Sequence, residues 1–300
     1  MTSFLSARLL LPFLGLSLVA LSWQARGADP QIVRLWEGDA PGATGKEAKD
    51  IPQLQIYALE KQSKPTAALV ILPGGGYGGL AIDHEGHQIA RWANSLGMSA
   101  FICEYRHRGK GYGHPNPMLD AQRAVRTVRA EAAKWNVDPN RIGIIGFSAG
   151  GHLASTVLTH FDDGQTDAKD SIDRVSSRPD FGILCYAVID LDQPHTHKGS
   201  QKNLLGENPD PELVKSLTNS IQVTERTPPT FLWSTEDDTV VPVENSLRFY
   251  SAMAQKKVPG ELHVLPHGRH GLGLAPDSPH VAQWVGLCRN WLKQSKFITE

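Results

Sequence analysis

Short, unbroken apolar runs recur along the chain, each followed by a stretch with helical spacing, and this alternation constrains the fold more than any other feature. Residues 67–72 read AALVIL and 141–147 read RIGIIGF, and 98–105, 181–188, 230–234 and 261–265 repeat the theme. Runs without a polar alternation suit strands buried on both faces, as in a parallel sheet covered by helices. The expected helices are 84–96, 117–135, 151–160, 243–255 and 279–293; in the second, Ala121, Ala124, Val125, Val128, Ala132 and Trp135 fall on one face. Two further strands, 31–36 and 53–60, open the chain. The expected architecture is α/β, with a mostly parallel central sheet and helices on both faces. No repeat or low-complexity linker divides the chain, so one domain is expected over 28–300. The least regular stretch, 162–227, is polar, with one helix expected at 210–217; insertions of this kind shape binding clefts.

The first 27 residues read differently. Arg8 precedes the uncharged stretch 9–21 (LLLPFLGLSLVAL), and the small-residue pattern Ala25-Arg26-Gly27 follows. This is the layout of a secretory signal cleaved after Gly27, and the apolar stretch falls short of the roughly 20 residues a spanning helix needs. The expected location is secreted or periplasmic, with no membrane anchor after cleavage. Lys plus Arg (30) nearly balance Asp plus Glu (31), without runs of one sign. Nucleic acid is therefore not an expected partner. Cys103, Cys185 and Cys288 each lie inside an apolar run and are expected as buried, unpaired thiols.

Chemistry concentrates at Gly146-Phe147-Ser148-Ala149-Gly150, which follows the strand RIGII and runs into a helix. A serine there occupies a sharp strand-to-helix turn, and the helix N-terminus offers free N–H groups to developing negative charge. Ser148 is the expected nucleophile. A serine hydroxyl needs a base and a carboxylate to orient it, in the order Ser, Asp, His for this layout. Asp238 follows the strand TFLWS, and is preferred to Asp237 and Glu236 because Val240, Val241 and Pro242 anchor the loop behind it. His270 follows the strand ELHVL and is preferred to His267 because Gly271 and Gly273 allow close backbone approach. A metal site of His263, His267 and His270 is the competing reading, set lower because no carboxylate or thiolate is expected to complete it.

The loop Pro73-Gly74-Gly75-Gly76-Tyr77-Gly78-Gly79 follows the strand AALVIL, where oxyanion donors are needed. Gly75, Gly76 and Ala149 are the expected donors; Tyr77 could replace a glycine through its N–H and is also a candidate for substrate binding. Gly74-x-Gly76-x-x-Gly79 also matches a dinucleotide fingerprint formally, with Glu104 as the ribose acid. Yet residues 80–83 intervene before the helix, and the acid lies too far along. His84 and His197 are further substrate-binding candidates, against the plainer readings that 83–85 cap a helix and that His195 and His197 belong to a polar cleft wall. Asp120 reads as a charge at a helix N-terminus.

Taken together, the glycine loop, GFSAGGH, DDTVVP and GRHG, in this order, resemble the α/β-hydrolase superfamily. The nearest likeness is to the esterases and lipase-like enzymes that include bacterial secreted acetyl xylan esterases. LWEGDAPGA at 35–43, DHEG at 83–86, EYRHRG at 104–109, LDAQRAVRTVR at 119–129 and HKGSQKNLLG at 197–206 carry the same likeness over nearly all of 28–300. The resemblance implies an α/β-hydrolase fold with Ser148, His270 and Asp238 as a triad, needing neither metal nor organic cofactor. The expected substrate is a small-molecule or polysaccharide ester; export and the donors His195, His197, Lys198, Gln201, Lys202 and Asn203 in the polar 162–227 stretch favour a short acyl group on a carbohydrate, acetyl before feruloyl. A general short-chain carboxylesterase, a serine peptidase and an inactive binding module follow. Pro73 departs from related loops that open on histidine, so the loop's polar anchoring must come from elsewhere.

Overall fold

The computed structural model describes residues 30–60 and 62–299, and the expected signal segment lies outside the described residues. Eight strands form one sheet: β1 (Gln31–Arg34), β2 (Gln53–Tyr57), β3 (Thr66–Leu72), β4 (Ser99–Glu104), β5 (Val137–Phe147), β6 (Phe181–Cys185), β7 (Thr230–Thr235) and β8 (Gly260–Leu265). Their order is β1-β2-β4-β3-β5-β6-β7-β8. β2 runs antiparallel to both its neighbours, and every pair from β4 onward is parallel. This is the mostly parallel α/β-hydrolase sheet that the apolar runs and the resemblance imply.

Alternate residues of β3 serve opposite faces, as strand geometry requires. Ala68, Val70 and Leu72 join a core with α2 (Asn116–Ala130), α3 (Ser148–Thr159) and α6 (Glu244–Gln255). Ala67, Leu69 and Ile71 join a second core with α1 (Gln88–Ser95) and α7 (Pro279–Gln294). Cys103, Cys185 and Cys288 are buried free thiols, and burial pushes each thiol's pKa well up. Register then sets the site: Leu72 is level with Gly146, Phe147 with Cys185, and Thr235 with Leu265. The loops after β3, β5, β6, β7 and β8 therefore open on one edge of the sheet.

Several boundaries differ from expectation. The first helix opens with a π turn, Asp83–His87, and α2 ends at Ala130 before a separate 3-10 turn, Ala132–Trp135. The 162–227 stretch carries two α-helices rather than one, α4 (Lys198–Leu205) and α5 (Pro211–Ser216), besides 3-10 turns at Ser171–Arg174 and Asn219–Gln222. Asp120 is corrected outright. It lies within α2, fully buried, with its carboxylate on the Arg106 guanidinium at 2.7 Å and on the Arg106 N–H at 2.8 Å. Arg106 also donates to the Pro41 carbonyl at 2.9 Å and sits over the rings of Trp36 and Tyr112. A buried ion pair of this kind is costly to break from one side, because the remaining charge is stranded. Asp120→Ala is expected to lower the unfolding free energy by about 3–5 kcal/mol in urea denaturation, and a loss below about 1 kcal/mol would show that Arg106 needs no carboxylate.

Candidate active site

The turn at the end of β5 is tight for a steric reason. A Cβ on Gly150 would lie 2.2 Å from the Leu72 carbonyl oxygen and 2.5 Å from that of Pro73. Only a residue without a side chain lets the first turn of α3 press against the end of β3. Ser148, which begins α3 itself, is held at φ 51, a conformation uncommon outside glycine. Such strain persists where surrounding structure fixes it, as at nucleophile elbows.

Ser148 Oγ lies 2.8 Å from His270 Nε2, and His270 Nδ1 lies 2.6 Å from Asp238 Oδ2. The Asp238 side chain is wholly buried, and its other oxygen accepts the N–H groups of Val240 (2.8 Å) and Val241 (3.0 Å). The residues behind Asp238 thus aim the carboxylate as well as anchor the loop. Asp237, next door, is exposed: it accepts the Gly268 N–H at 2.8 Å and pairs with His267 at 3.2 Å. The Gly268 N–H, with His267 beside it, holds the Asp237 carboxyl below its usual range. His263 pairs with Glu261 on β8. The three histidines weighed as a metal site therefore each face a different carboxylate.

The glycine loop lies against this constellation rather than opening a helix, which removes the dinucleotide geometry. Glu104 accepts the side-chain amides of Gln53 and Gln55 instead. Gly75 adopts φ 132, and a Cβ there would come within 2.3 Å of the Gly79 carbonyl oxygen. Pro73, in place of the usual histidine, leaves anchoring to several groups. Tyr105 Oη donates to the Pro73 carbonyl at 2.6 Å, and Glu85 accepts the Gly74 N–H at 2.8 Å. Asn203 on α4 donates to the Gly76 carbonyl at 2.8 Å, and the Arg108 N–H donates to that of Tyr77 at 2.8 Å. Among the described residues, the N–H groups of Gly75, Gly76 and Tyr77 have no protein acceptor. Ala149 lies in the first turn of α3, where N–H groups have no partner within the helix.

Tyr77 requires a correction. Its side chain is 1% exposed, and its hydroxyl lies 2.8 Å from His152 Nδ1, so it anchors the loop to α3 and cannot reach substrate. His197 lies opposite Gly76: a Cβ on that glycine would meet His197 Cε1 at 4.0 Å. His197 Nδ1 faces Ser200, 2.8 Å from its hydroxyl and 3.3 Å from its N–H, and Nε2 has no protein partner among the described residues. Burial, and then His270, lower the His197 pKa. His84 is half exposed, 3.7 Å from Glu85, and Asp83 accepts the Gln88 amide rather than capping a helix. His195 lies 3.5 Å from Asp190. By its sequence Glu85 reads as part of a helix cap, whereas it is 2% exposed and bonded to Gly74 and to Tyr186, a partner 101 residues away. Nothing local in DHEG signals that pairing.

Chemically, this arrangement can take a proton from Ser148 Oγ as it attacks a carbonyl carbon, while free N–H groups receive the resulting oxyanion.

Over residues 54–253 the chain matches the BD-FAE family. Endo-1,4-beta-xylanase B of Butyrivibrio fibrisolvens is 41% identical over 238 residues, 79% of this chain and 37% of that protein. Acetylxylan esterase of Xylanibacter ruminicola is 33% identical over 285 residues, 93% of this chain and 53% of that protein. The chain thus spans about half, or less, of the length of these curated relatives. An acetyl ester-xyloside bifunctional hydrolase from Caldicellulosiruptor lactoaceticus superposes with a TM-score of 0.85 at 49% identity, over 91% of this chain and 100% of that one. An esterase from Thermogutta terrifontis with propionate bound reaches a TM-score of 0.73 over 91% of this chain and 97% of that one, and at 23% identity shows the fold alone.

His152 gives the site's support a pH dependence. Its Nε2–H donates to the Leu217 carbonyl at 2.9 Å, so Nδ1 accepts from Tyr77 Oη. Burial lowers its pKa from 6.5 to about 4. The unfolded chain takes up this proton as pH falls below the ordinary value while the native ring resists, so stability present above pH 6.5 is lost on the way to pH 4. The loss from this one group is about 3 kcal/mol. In parallel urea titrations from neutral pH to pH 4, the stability gap between parent and His152→Gln should narrow by about that amount, and a constant gap would contradict the burial argument.

Proposed function

The chain belongs to the BD-FAE family of α/β-hydrolase esterases, and from that premise we propose that it hydrolyses short acyl esters of carbohydrates, acetyl esters of xylan first, through Ser148, His270 and Asp238. The observation that carries the reading is the unbroken series Asp238, His270, Ser148 beside a loop with unused N–H donors.

In the proposed reaction Ser148 Oγ attacks the acetyl carbon as His270 Nε2 takes its proton. Asp238, fixed by two backbone N–H groups, stabilises the imidazolium. The oxyanion accepts from Ala149 N–H and from the loop N–H groups at 75–77. Collapse expels the sugar alcohol, which leaves with the proton from His270, and Ser148 keeps the acetyl group. Water, deprotonated by His270, then attacks the acyl-enzyme, and acetate departs as Ser148 recovers its proton. His197 Nε2, across from Gly76, offers a hydrogen-bonding group to the alcohol side, and its position on the polar 162–227 insertion suits a hydroxyl-rich leaving group. The names of two relatives, an acetylxylan esterase and an acetyl ester-xyloside hydrolase, support the same substrate class. The N-terminal segment supports export with Ala28 as the first mature residue.

Ser148→Ala, His270→Ala and their double mutant should lose similar amounts of kcat, roughly 10⁴-fold or more, because the groups act as a unit, and Asp238→Asn should lose less. If Asp237→Asn is inactive and Asp238→Asn is not, the carboxylate assignment is wrong. Acetate release from acetylated xylan, paired with a nitrophenyl-ester chain-length series, tests the substrate. The expected result is acetate release and a preference for acetyl; a preference for octanoyl or longer chains, with no acetate from the polymer, contradicts the carbohydrate reading and leaves the triad untouched.

A further inference from the structure

Glu85 is a buried carboxylate, and the nearest group that could carry a countercharge is the half-exposed His84, at 3.7 Å. No Lys or Arg pairs with it among the described residues, and an unpaired buried charge is expensive to keep. Its hydrogen bonds go to both halves of the site. Oε2 accepts the Gly74 N–H at 2.8 Å, at the start of the oxyanion loop. Oε1 accepts the Tyr186 hydroxyl at 2.7 Å, and that hydroxyl accepts the Gly273 N–H at 2.9 Å, in the loop that carries His270. The Tyr186 ring also lies edge-on to the His270 imidazole, with centroids 4.9 Å apart. A Cβ on Gly74 would lie 2.7 Å from Glu85 Oε2 and 3.0 Å from Ser148 Cβ, so little more than one missing side chain separates the carboxylate from the nucleophile.

We propose that Glu85, with Tyr186, is a positioning residue that holds the oxyanion loop and the His270 loop in mutual register around Ser148. The proposal rests on the triad reading above. The bonding pattern explains why an acid is needed. Two donors, the Gly74 N–H and the Tyr186 O–H, converge on it, and only a carboxylate accepts both. Tyr186 is fully buried, and burial followed by the Glu85 charge pushes its pKa well up, so the hydroxyl keeps the proton it donates. A glutamine could accept from Gly74 only by turning its NH₂ toward Tyr186, which would leave the tyrosine proton without an acceptor. Loss of the acid should therefore cost transition-state stabilisation and leave ground-state binding nearly untouched.

The test uses the purified full chain, with 4-nitrophenyl acetate and a trifluoromethyl ketone that forms a tetrahedral adduct on serine. Glu85→Ala should lower kcat about 100-fold with KM within about threefold of the parent, comparable to losing one oxyanion donor. Its Ki for the ketone should rise by the same factor as kcat/KM falls. Glu85→Gln and Tyr186→Phe should each lose about tenfold, and the double mutant Glu85→Gln/Tyr186→Phe no more than the worse single, because both break one chain of bonds. Near-UV circular dichroism checks folding; if Glu85→Ala does not fold, the other two variants and their double mutant decide. Either kcat within about threefold of the parent in folded variants, a loss carried by KM, or additive effects in the double mutant would overturn the proposal. Ser148→Ala, run alongside, separates the two claims: if it stays active the triad reading has failed, and if it is inactive while the Glu85 variants are active only this inference has.

Discussion

The sheet edge that carries Ser148 depends on one close approach, the first turn of α3 against the end of β3. With Gly150 pressed on the carbonyls of Leu72 and Pro73, the elbow and the glycine loop become a single packed unit. The positive φ of Ser148 is affordable there because both flanks are fixed: β5 pairs on two sides, and α3 is buried along its length. Backbone packing thus sets the distance between Ser148 and the free N–H groups of the glycine loop before any polar side chain contributes. That order suits the proposed reaction, since donors fixed in advance need no reorganisation as charge develops.

Two neighbouring acids, Asp237 and Asp238, show how environment divides roles. Asp238 is buried, accepts two N–H groups from the turn that follows it, and turns its free oxygen to His270. Asp237 points outward and ties the β7 loop to the β8 loop through Gly268 and His267. One acid orients His270, and the other braces the loop that carries it. The glycine loop is braced in the same distributed way by Tyr105, Glu85, Asn203 and Arg108, which together replace the histidine that Pro73 displaces.

Much of this was legible in the sequence because it is written locally. Apolar runs marked the strands, and the expectations at GFSAG and at the loops after two further strands name Ser148, Asp238 and His270, which the fold brings within hydrogen-bond reach of one another. The order of the motifs carried the fold. What escaped depends on distant partners. An acid in DHEG looks alike whether it caps a helix or meets a tyrosine 101 residues on, and Asp120 looks like a helix-terminal charge until Arg106 is brought against it. Tyr77 lay in the right loop but faces inward, since its φ of 56 turns the side chain to His152. The α4 helix escaped because it is polar and short, and its role lies in Asn203 reaching the Gly76 carbonyl.

The central claim is that Ser148 carries the acyl group between two half-reactions. Acid-quenching the protein during turnover of 4-nitrophenyl acetate, followed by peptide mass mapping, tests it directly. The account predicts an acetyl group on the peptide containing Ser148, at that residue, and none in Ser148→Ala, which should also cease to turn over. An acetyl group on another residue, or undiminished turnover by Ser148→Ala, would contradict it.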